Sequence, residues 1–287
     1  MNRIIRQIKE YAPLIKGLQT GLLVFTGLAG YMSARCPVFN LPTLAGLFFA
    51  LAASISGSTI LNMWWDRDID ALMHRTCNRP LASGKIPPRQ ALLVGLLLSF
   101  LGVAGAFLLD PLTGLIIFSG LFFDVIIYTI LLKRRSCWSI VFGGISGGMP
   151  ILAGRALAVG RLDWIGVLLS LGILFWIPTH ILSFSIRNAS DYQRAGVPTF
   201  VSAYGIQTTR LTIAIASILA AIALVGAAIG IGVSWGYLRL LAVLSIGLLI
   251  YSIVESVKPT ERGMFGLYKF ASVYMLSSMF VLFFRGV

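Results

Sequence analysis

The sequence predicts an all-α, polytopic integral membrane protein: nine transmembrane helices in one bundle. Three observations predict it. Of the 287 residues, 57% are hydrophobic and only 11% charged, with a mean hydropathy of +0.90, whereas soluble domains run about 25% charged. Apolar runs near the roughly 20 residues needed to cross the hydrocarbon core recur nine times. Lys and Arg gather on alternate connections between those runs, as they do on the cytoplasmic side of membrane proteins.

Taken in order, the spans lie near 12–33, 42–63, 90–109, 112–132, 138–158, 164–184, 208–231, 236–255 and 265–284. The segment before the first, Met1 to Glu10, is short, basic and amphipathic. It lacks the apolar core and small-residue cleavage site of a secretory signal, so it reads as an interfacial helix feeding the first span. The second span runs into the polar stretch 64–89, and the sixth into 185–207. The fifth contains Gly143-Gly144-Ile145-Ser146-Gly147-Gly148. No Lys-Ser/Thr follows, so this is no phosphate loop; small residues at that spacing let membrane helices approach closely. The sixth contains Trp176-Ile177-Pro178-Thr179-His180. Pro178 removes a backbone donor and is expected to kink the helix or open it locally.

Eighteen of the 23 Lys and Arg residues flank the N-terminus or follow spans two, four, six and eight; Arg35, Arg155, Arg161, Arg239 and Arg285 lie opposite. That asymmetry predicts a cytoplasmic N-terminus and puts both long polar loops in the cytoplasm. It also accounts for the formal charge of +13 without nucleic acid, since the low-aromatic, Lys/Arg-interleaved stretches of nucleic-acid binders are absent. Cys36, Cys77 and Cys137 are scattered, with neither metal-finger nor disulfide spacing. The whole chain, 1–287, reads as a single membrane domain.

The chemistry concentrates at the two long loops. Asn62, Asp66 and Asp70 are spaced i, i+4, i+8, and on a helix such residues stack along one face. An acidic ladder at the mouth of a membrane helix is expensive, and its oxygen-only ligands suit Mg²⁺ shared with a substrate phosphate. Asp68 points away from the ladder and is expected to pair with Arg67 or Arg75. Arg75, Arg79 and Lys85 follow within 15 residues, framed by Pro80 and Gly84. Guanidinium groups bind diphosphate oxygens bidentately, so these three read as a diphosphate-binding group. Asn188, Asp191 and Tyr192 at the second loop form a leaner polar cluster, readable as a second metal half-site or as a turn. His180 is one of two histidines and lies in apolar sequence; His74 lies in the charged loop. Tyr128 to Arg134 is a basic exit from span four, which alone reads as a membrane anchor.

The ladder and its loop resemble the first signature of the UbiA superfamily of intramembrane prenyltransferases, Asn-x-x-x-Asp-x-x-x-Asp, met by Asn62, Asp66 and Asp70. The string from Asp66 to Gly84 is most similar to the protohaem IX farnesyltransferase branch. So are Tyr128-Thr129 through Lys133-Arg134, the Gly-rich run ending Met149-Pro150, Trp176-x-Pro178-x-His180, and Asp191-Tyr192 through Pro198. The chain departs at Thr179-His180-Ile181, where the branch has Pro-His-Phe, and at Lys16-Gly17-Leu18, where it has Lys-Pro-Arg. The resemblance implies a bundle around a lateral apolar chamber, in a prokaryotic cell membrane. It implies Mg²⁺ on Asn62, Asp66, Asp70 and Asp191, which together form the catalytic set. The diphosphate of an isoprenyl donor would meet Arg75, Arg79, Lys85, Lys133, Arg134 and Lys16. The acceptor, haem b, would meet His180, Tyr128, Asn188 and Tyr192. The implied reaction is farnesyl transfer from farnesyl diphosphate to a vinyl group of haem b, releasing pyrophosphate. A quinone-ring, chlorophyll-type or glycerol-lipid acceptor would leave the same reaction with another partner. A membrane transporter is the remote alternative, but transport sites sit near the midplane and these carboxylates sit at one membrane face.

Overall fold

A computed structural model describes residues 11–34, 40–258 and 260–284. The interfacial helix expected at Met1–Glu10, and Arg35, Cys36 and Arg285, lie outside them. The described residues are helical with short connections and contain no strand. Among the described residues, eight helices are long and apolar enough to cross a membrane. A shorter ninth opens the chain: a 3₁₀ turn at Ala12–Ile15, then α1 at Gly17–Met32. The expected first span began at 12; Lys16, with φ 47°, separates the turn from the helix.

The rest follow the apolar pattern. α2 spans Leu41–Trp65, the short α3 Arg67–Leu72, and α4 Pro88–Leu109. α5 begins at Pro111–Leu121 and continues through Phe122–Leu132 as a π-helix, closing on a Lys133 N–H to Tyr128 O bond of 2.8 Å. α6 spans Ser139–Val159, α7 Trp164–Arg187, the short α8 Ala189–Arg194, α9 Phe200–Ile231, α10 Trp235–Val257 and α11 Glu261–Phe284. The helical run of α9 starts before the expected 208 but breaks at Gly205, φ 79°, a conformation that glycine adopts without a Cβ clash.

Caps explain several starts. Asn40 accepts from the Thr43 N–H, Asp110 from Thr113 at 2.7 Å and Asp163 from Gly166 at 2.8 Å, satisfying donors that an α-helix leaves open at its first turn. Pro150 and Pro178 both sit inside continuous helices, so Pro178 removes a hydrogen bond without ending α7.

α6 and α7 pack against each other near the centre. One buried cluster joins α7, α9, α10 and α11; another joins α1, α2, α4 and α6. Gly148 permits the central crossing, since a Cβ there would meet the Ser170 carbonyl oxygen of α7 at 2.9 Å, which bears out close approach for part of the Gly-rich run. Residues on the outer side of α4, such as Phe100 at 69% and Leu108 at 89% exposure, turn apolar surface outward, as lipid-facing residues must. The protein is an integral membrane protein. Successive long helices run antiparallel, so the ends of α2, α5 and α7 and the starts of α1 and α4 gather at one face.

Candidate active site

The ladder survives a change of element. α2 ends at Trp65 and α3 starts at Arg67, yet Asp66 N–H reaches Asn62 O at 2.9 Å and Asp70 N–H reaches Asp66 O at 2.8 Å. The i, i+4, i+8 spacing therefore holds through the junction. Asp66 is 2% exposed and Asp70 4%. A charge buried so far needs a partner. Asp66 Oδ2 takes Lys133 Nζ, from the end of the π-helix, and Asp70 Oδ2 takes Arg79 Nη1 at 2.6 Å. Asp66 Oδ1 is buried with no hydrogen-bond partner. Burial pushes the Asp66 carboxyl above the usual carboxylate range, and Lys133 opposes that without cancelling it. Asp66 thus has one oxygen on Lys133 and the other open.

Asn62 has both ends of its amide engaged. Nδ2 donates to Asp124 Oδ2 at 2.8 Å, and Oδ1 accepts from Thr129 Oγ1 at 2.8 Å. The sequence reading passed over Asp124, Thr129 and Ser58, which also donates to Asp124. An acid inside span four was a visible signal, but α-helical spacing turned it away from Lys133 and hid the connection.

Asp191 joins the two polar loops. Its Oδ1 and Oδ2 accept the backbone N–H groups of His74 and Arg75 at 3.2 and 3.3 Å. It fixes the loop that bears the cations. Arg75 then lies over the Phe184 ring, 4.8 Å from its centroid. Asn188 bonds its own helix, Nδ2 to Phe184 O at 2.8 Å. Tyr192 packs against Ile69, Met73 and Val197. Tyr128 lies 5.7 Å beneath Lys133 Nζ.

Arg134 is not among the cavity residues. It grips Asp68 through Nη1 and Nη2 at 2.7 and 2.6 Å, and Nη2 also reaches Trp65 O. The expected pairing of Asp68 with Arg67 or Arg75 is replaced by this one, and the Arg134 hydrogen bonds hold Asp68 below the usual carboxylate range. Arg67 instead donates to Trp64 O.

Lys16, Arg75, Arg79 and Lys85 line one cavity of about 560 Å³, with Met63 and Pro80 on its apolar wall. Four of the six expected diphosphate residues, from positions 16 to 85, thus meet around one hollow beside Asp70. Lys16 is pushed down to about 8, first by burial and then by the charges of Arg79 and Lys133. Among the described residues, no three carboxylate, histidine or cysteine side chains converge as a ready metal cage. The unpartnered Asp66 oxygen fits a different arrangement, in which Mg²⁺ is shared between one or two carboxylates and substrate phosphates.

His180 sits eight residues before Asn188 on α7, about 12 Å deeper along the helix. Its ring is stacked between Trp176 at 4.8 Å and Tyr268 at 4.3 Å, and Nδ1 meets Ser272 Oγ at 3.3 Å. Both faces and Nδ1 are thus engaged by neighbouring side chains.

A helix bundle that gathers buried carboxylates and a cation-lined hollow at one membrane face is built to hold a charged oxyanion whose remainder is apolar. That is the layout of an intramembrane enzyme for amphiphilic phosphate esters. The chain belongs to the UbiA prenyltransferase family, whose model matches residues 23–273, and it is a prenyltransferase. It is similar to protoheme IX farnesyltransferase of Pyrobaculum arsenaticum, 41% identical over 214 residues that cover 74% of this chain and 75% of the relative. The enzyme of the same name from Cereibacter sphaeroides is 40% identical over 227 residues, covering 78% and 72%. Among solved structures, a digeranylgeranylglyceryl phosphate synthase superposes with TM-score 0.82 at 19% identity, over 98% of this chain and 99% of that one. A UbiA homologue from Archaeoglobus fulgidus bound to GPP and Mg²⁺ gives TM-score 0.69 at 13% identity, over 95% and 99%.

Proposed function

We propose that this chain, acting as one unit across residues 1–287, transfers a farnesyl group from farnesyl diphosphate to a vinyl group of protohaem IX and releases pyrophosphate. The names of its relatives at about 40% identity support the acceptor. The observation that supports the donor end is the cavity lined by Lys16, Arg75, Arg79 and Lys85, whose Arg79 pairs with the buried Asp70.

Asp66 and Asp70 would hold Mg²⁺ through their oxygens, with Asn62 behind them; bound there, the ion would neutralise charge that builds on the departing diphosphate. Lys16, Arg75, Arg79 and Lys85 bind the same diphosphate oxygens from the other side. Lys133 neutralises Asp66 until the substrate arrives and then adds its charge to the leaving group. Asp191 keeps Arg75 aimed by holding the backbone of residues 74 and 75. Breaking the C–O bond leaves an allylic cation, which the vinyl carbon attacks; water adds to the resulting benzylic-type cation and loses a proton, giving a hydroxyethylfarnesyl side chain. Apolar surroundings delay earlier capture by water. The stacked His180 is the group offered to the porphyrin. The positive-inside pattern supports a cytoplasmic location for this face, and the family resemblance a prokaryotic cell membrane.

The test is pyrophosphate release in detergent, with and without Mg²⁺, with haem b, an aromatic acid or a glycerophosphate as acceptor. Mg²⁺-dependent release with haem b, falling about 10²-fold or more in Asp66→Asn, is the expected result. Release with another acceptor alone, or an active Asp66→Asn, overturns the reading.

A further inference from the structure

Two ladders face each other across the α2–α5 contact. On α2 the rungs are Ser58, Asn62 and Asp66, spaced by four. On the π-helix they are Asp124, Thr129 and Lys133, spaced by five and four. Ser58 and Asn62 donate to Asp124, Thr129 donates to Asn62, and Lys133 pairs with Asp66. An α-helix could not build this. Nine residues at about 100° each would put Asp124 and Lys133 on opposite sides. The i→i+5 register takes more residues per turn and returns positions 124, 129 and 133 to one face. Thr129 is fully buried, and its single hydroxyl proton is shared between Asn62 Oδ1 and the Asp124 carbonyl, 2.9 Å away, which ties the rungs to the π backbone itself.

We infer that Asp124 is a positioning residue, which fixes the orientation of the Asn62 amide for the metal–diphosphate end of the site, and that the π-register of α5 exists to bring it there. This rests on the donor reading proposed above. With Asp124 accepting from Nδ2, the amide is held with its oxygen away from Asp124, and that oxygen keeps a lone pair beyond the one Thr129 uses. Without Asp124 the amide can turn over and present N–H groups where a cation or its water requires an acceptor. A carboxylate at this depth costs free energy unless it is hydrogen-bonded, and the donors supplied by Ser58 and Asn62 offset that cost.

The experiment uses the full chain in detergent and reads farnesyl diphosphate binding by calorimetry across a Mg²⁺ titration, with no acceptor present. Asp124→Leu is expected to weaken Mg²⁺-dependent binding by about 10- to 100-fold, the usual loss when an outer partner of a metal site is removed. Asn62→Ala is expected to lose a similar amount, and the double variant no more than either. Asp124→Asn, which keeps an acceptor oxygen, is expected to bind within about threefold of the parent. Melting temperature without ligand is followed in parallel, so that a loss of folding is seen as such; Asp124→Asn then decides alone, and binding lost with the fold intact overturns the inference. Unchanged binding in Asp124→Leu, or losses that add in the double variant, also overturns it. A parent protein with no Mg²⁺-dependent binding overturns the donor reading instead, and this inference with it.

Discussion

Replacing Lys133 with Met should destabilise the protein more than any exposed charge could, and Mg²⁺ with pyrophosphate should reverse part of the loss. The side chains of Asp66 and Lys133 are 3% and 19% exposed. Asp66 Oδ1 already lacks a partner, so Lys133→Met leaves a buried carboxylate with neither oxygen satisfied. Removing one member of a buried pair costs about 3–5 kcal/mol. For a chain of this size, about 2 °C per kcal/mol makes that a fall of roughly 6–10 °C in melting temperature. Replacing the carboxylate as well, in Lys133→Met with Asp66→Asn, removes the uncompensated charge and should recover at least half. Added Mg²⁺ and pyrophosphate should raise the melting temperature of the single variant by recharging the site around Asp66, and should do little for the double variant. Thermal unfolding followed by tryptophan fluorescence in detergent reads all four cases. A fall under about 2 °C in Lys133→Met, or a double variant no more stable than the single, would refute the argument that Asp66 is a buried anion held by this lysine.

The other predictions are narrower. Burial, with the charges of Arg79 and Lys133, pushes Lys16 down from its usual 10.5 to about 8, and its protonated form attracts diphosphate. Substrate affinity should therefore be full below pH 8 and fall by about tenfold, the worth of one charge-assisted hydrogen bond, as pH rises through it. Lys16→Arg should bind equally across pH 7–9.5. Stability without substrate should move the other way, rising between about pH 8 and 10.5, where the unfolded chain still holds the proton and the folded one does not. Arg155 is 4% exposed, reaches both oxygens of Asp163 and bonds Ser33 on the face away from the cations. Arg155→Met should cost roughly 2–4 kcal/mol of stability yet leave farnesyl diphosphate affinity of the folded fraction unchanged. His180→Ala should retain Mg²⁺-dependent farnesyl diphosphate binding and lose farnesylation of haem b; full haem turnover would remove His180 from the acceptor site.

What was legible in the sequence was what local chemistry dictates. Long apolar runs have to become helices, because lipid offers the backbone no other hydrogen-bond partners, and all nine were found near their expected places. The acidic ladder follows from i, i+4 spacing alone, and it holds even where α2 gives way to α3. Arg75, Arg79 and Lys85 lie close in the chain, so their convergence on one hollow follows from a short loop framed by Pro80 and Gly84.

Only the tertiary structure decided who partners whom. Lys133 meets Asp66, Arg134 meets Asp68, and Asp191 grips residues 74 and 75; each pair is separated by more than 60 residues, and spacing along a chain says nothing about such distances. Asp124 was hidden for a further reason. Sequence periodicity assumes the α-helical turn, and the π-register of residues 122–132 moves every side chain in it to a new bearing. Its hydrogen bonds to Ser58, Asn62 and Thr129 depend on that register as well as on the packing of α5 against α2. Local spacing fixes the faces of ordinary helices; which face meets which, and where a helix changes pitch to make the meeting possible, depends on the packing of the whole bundle.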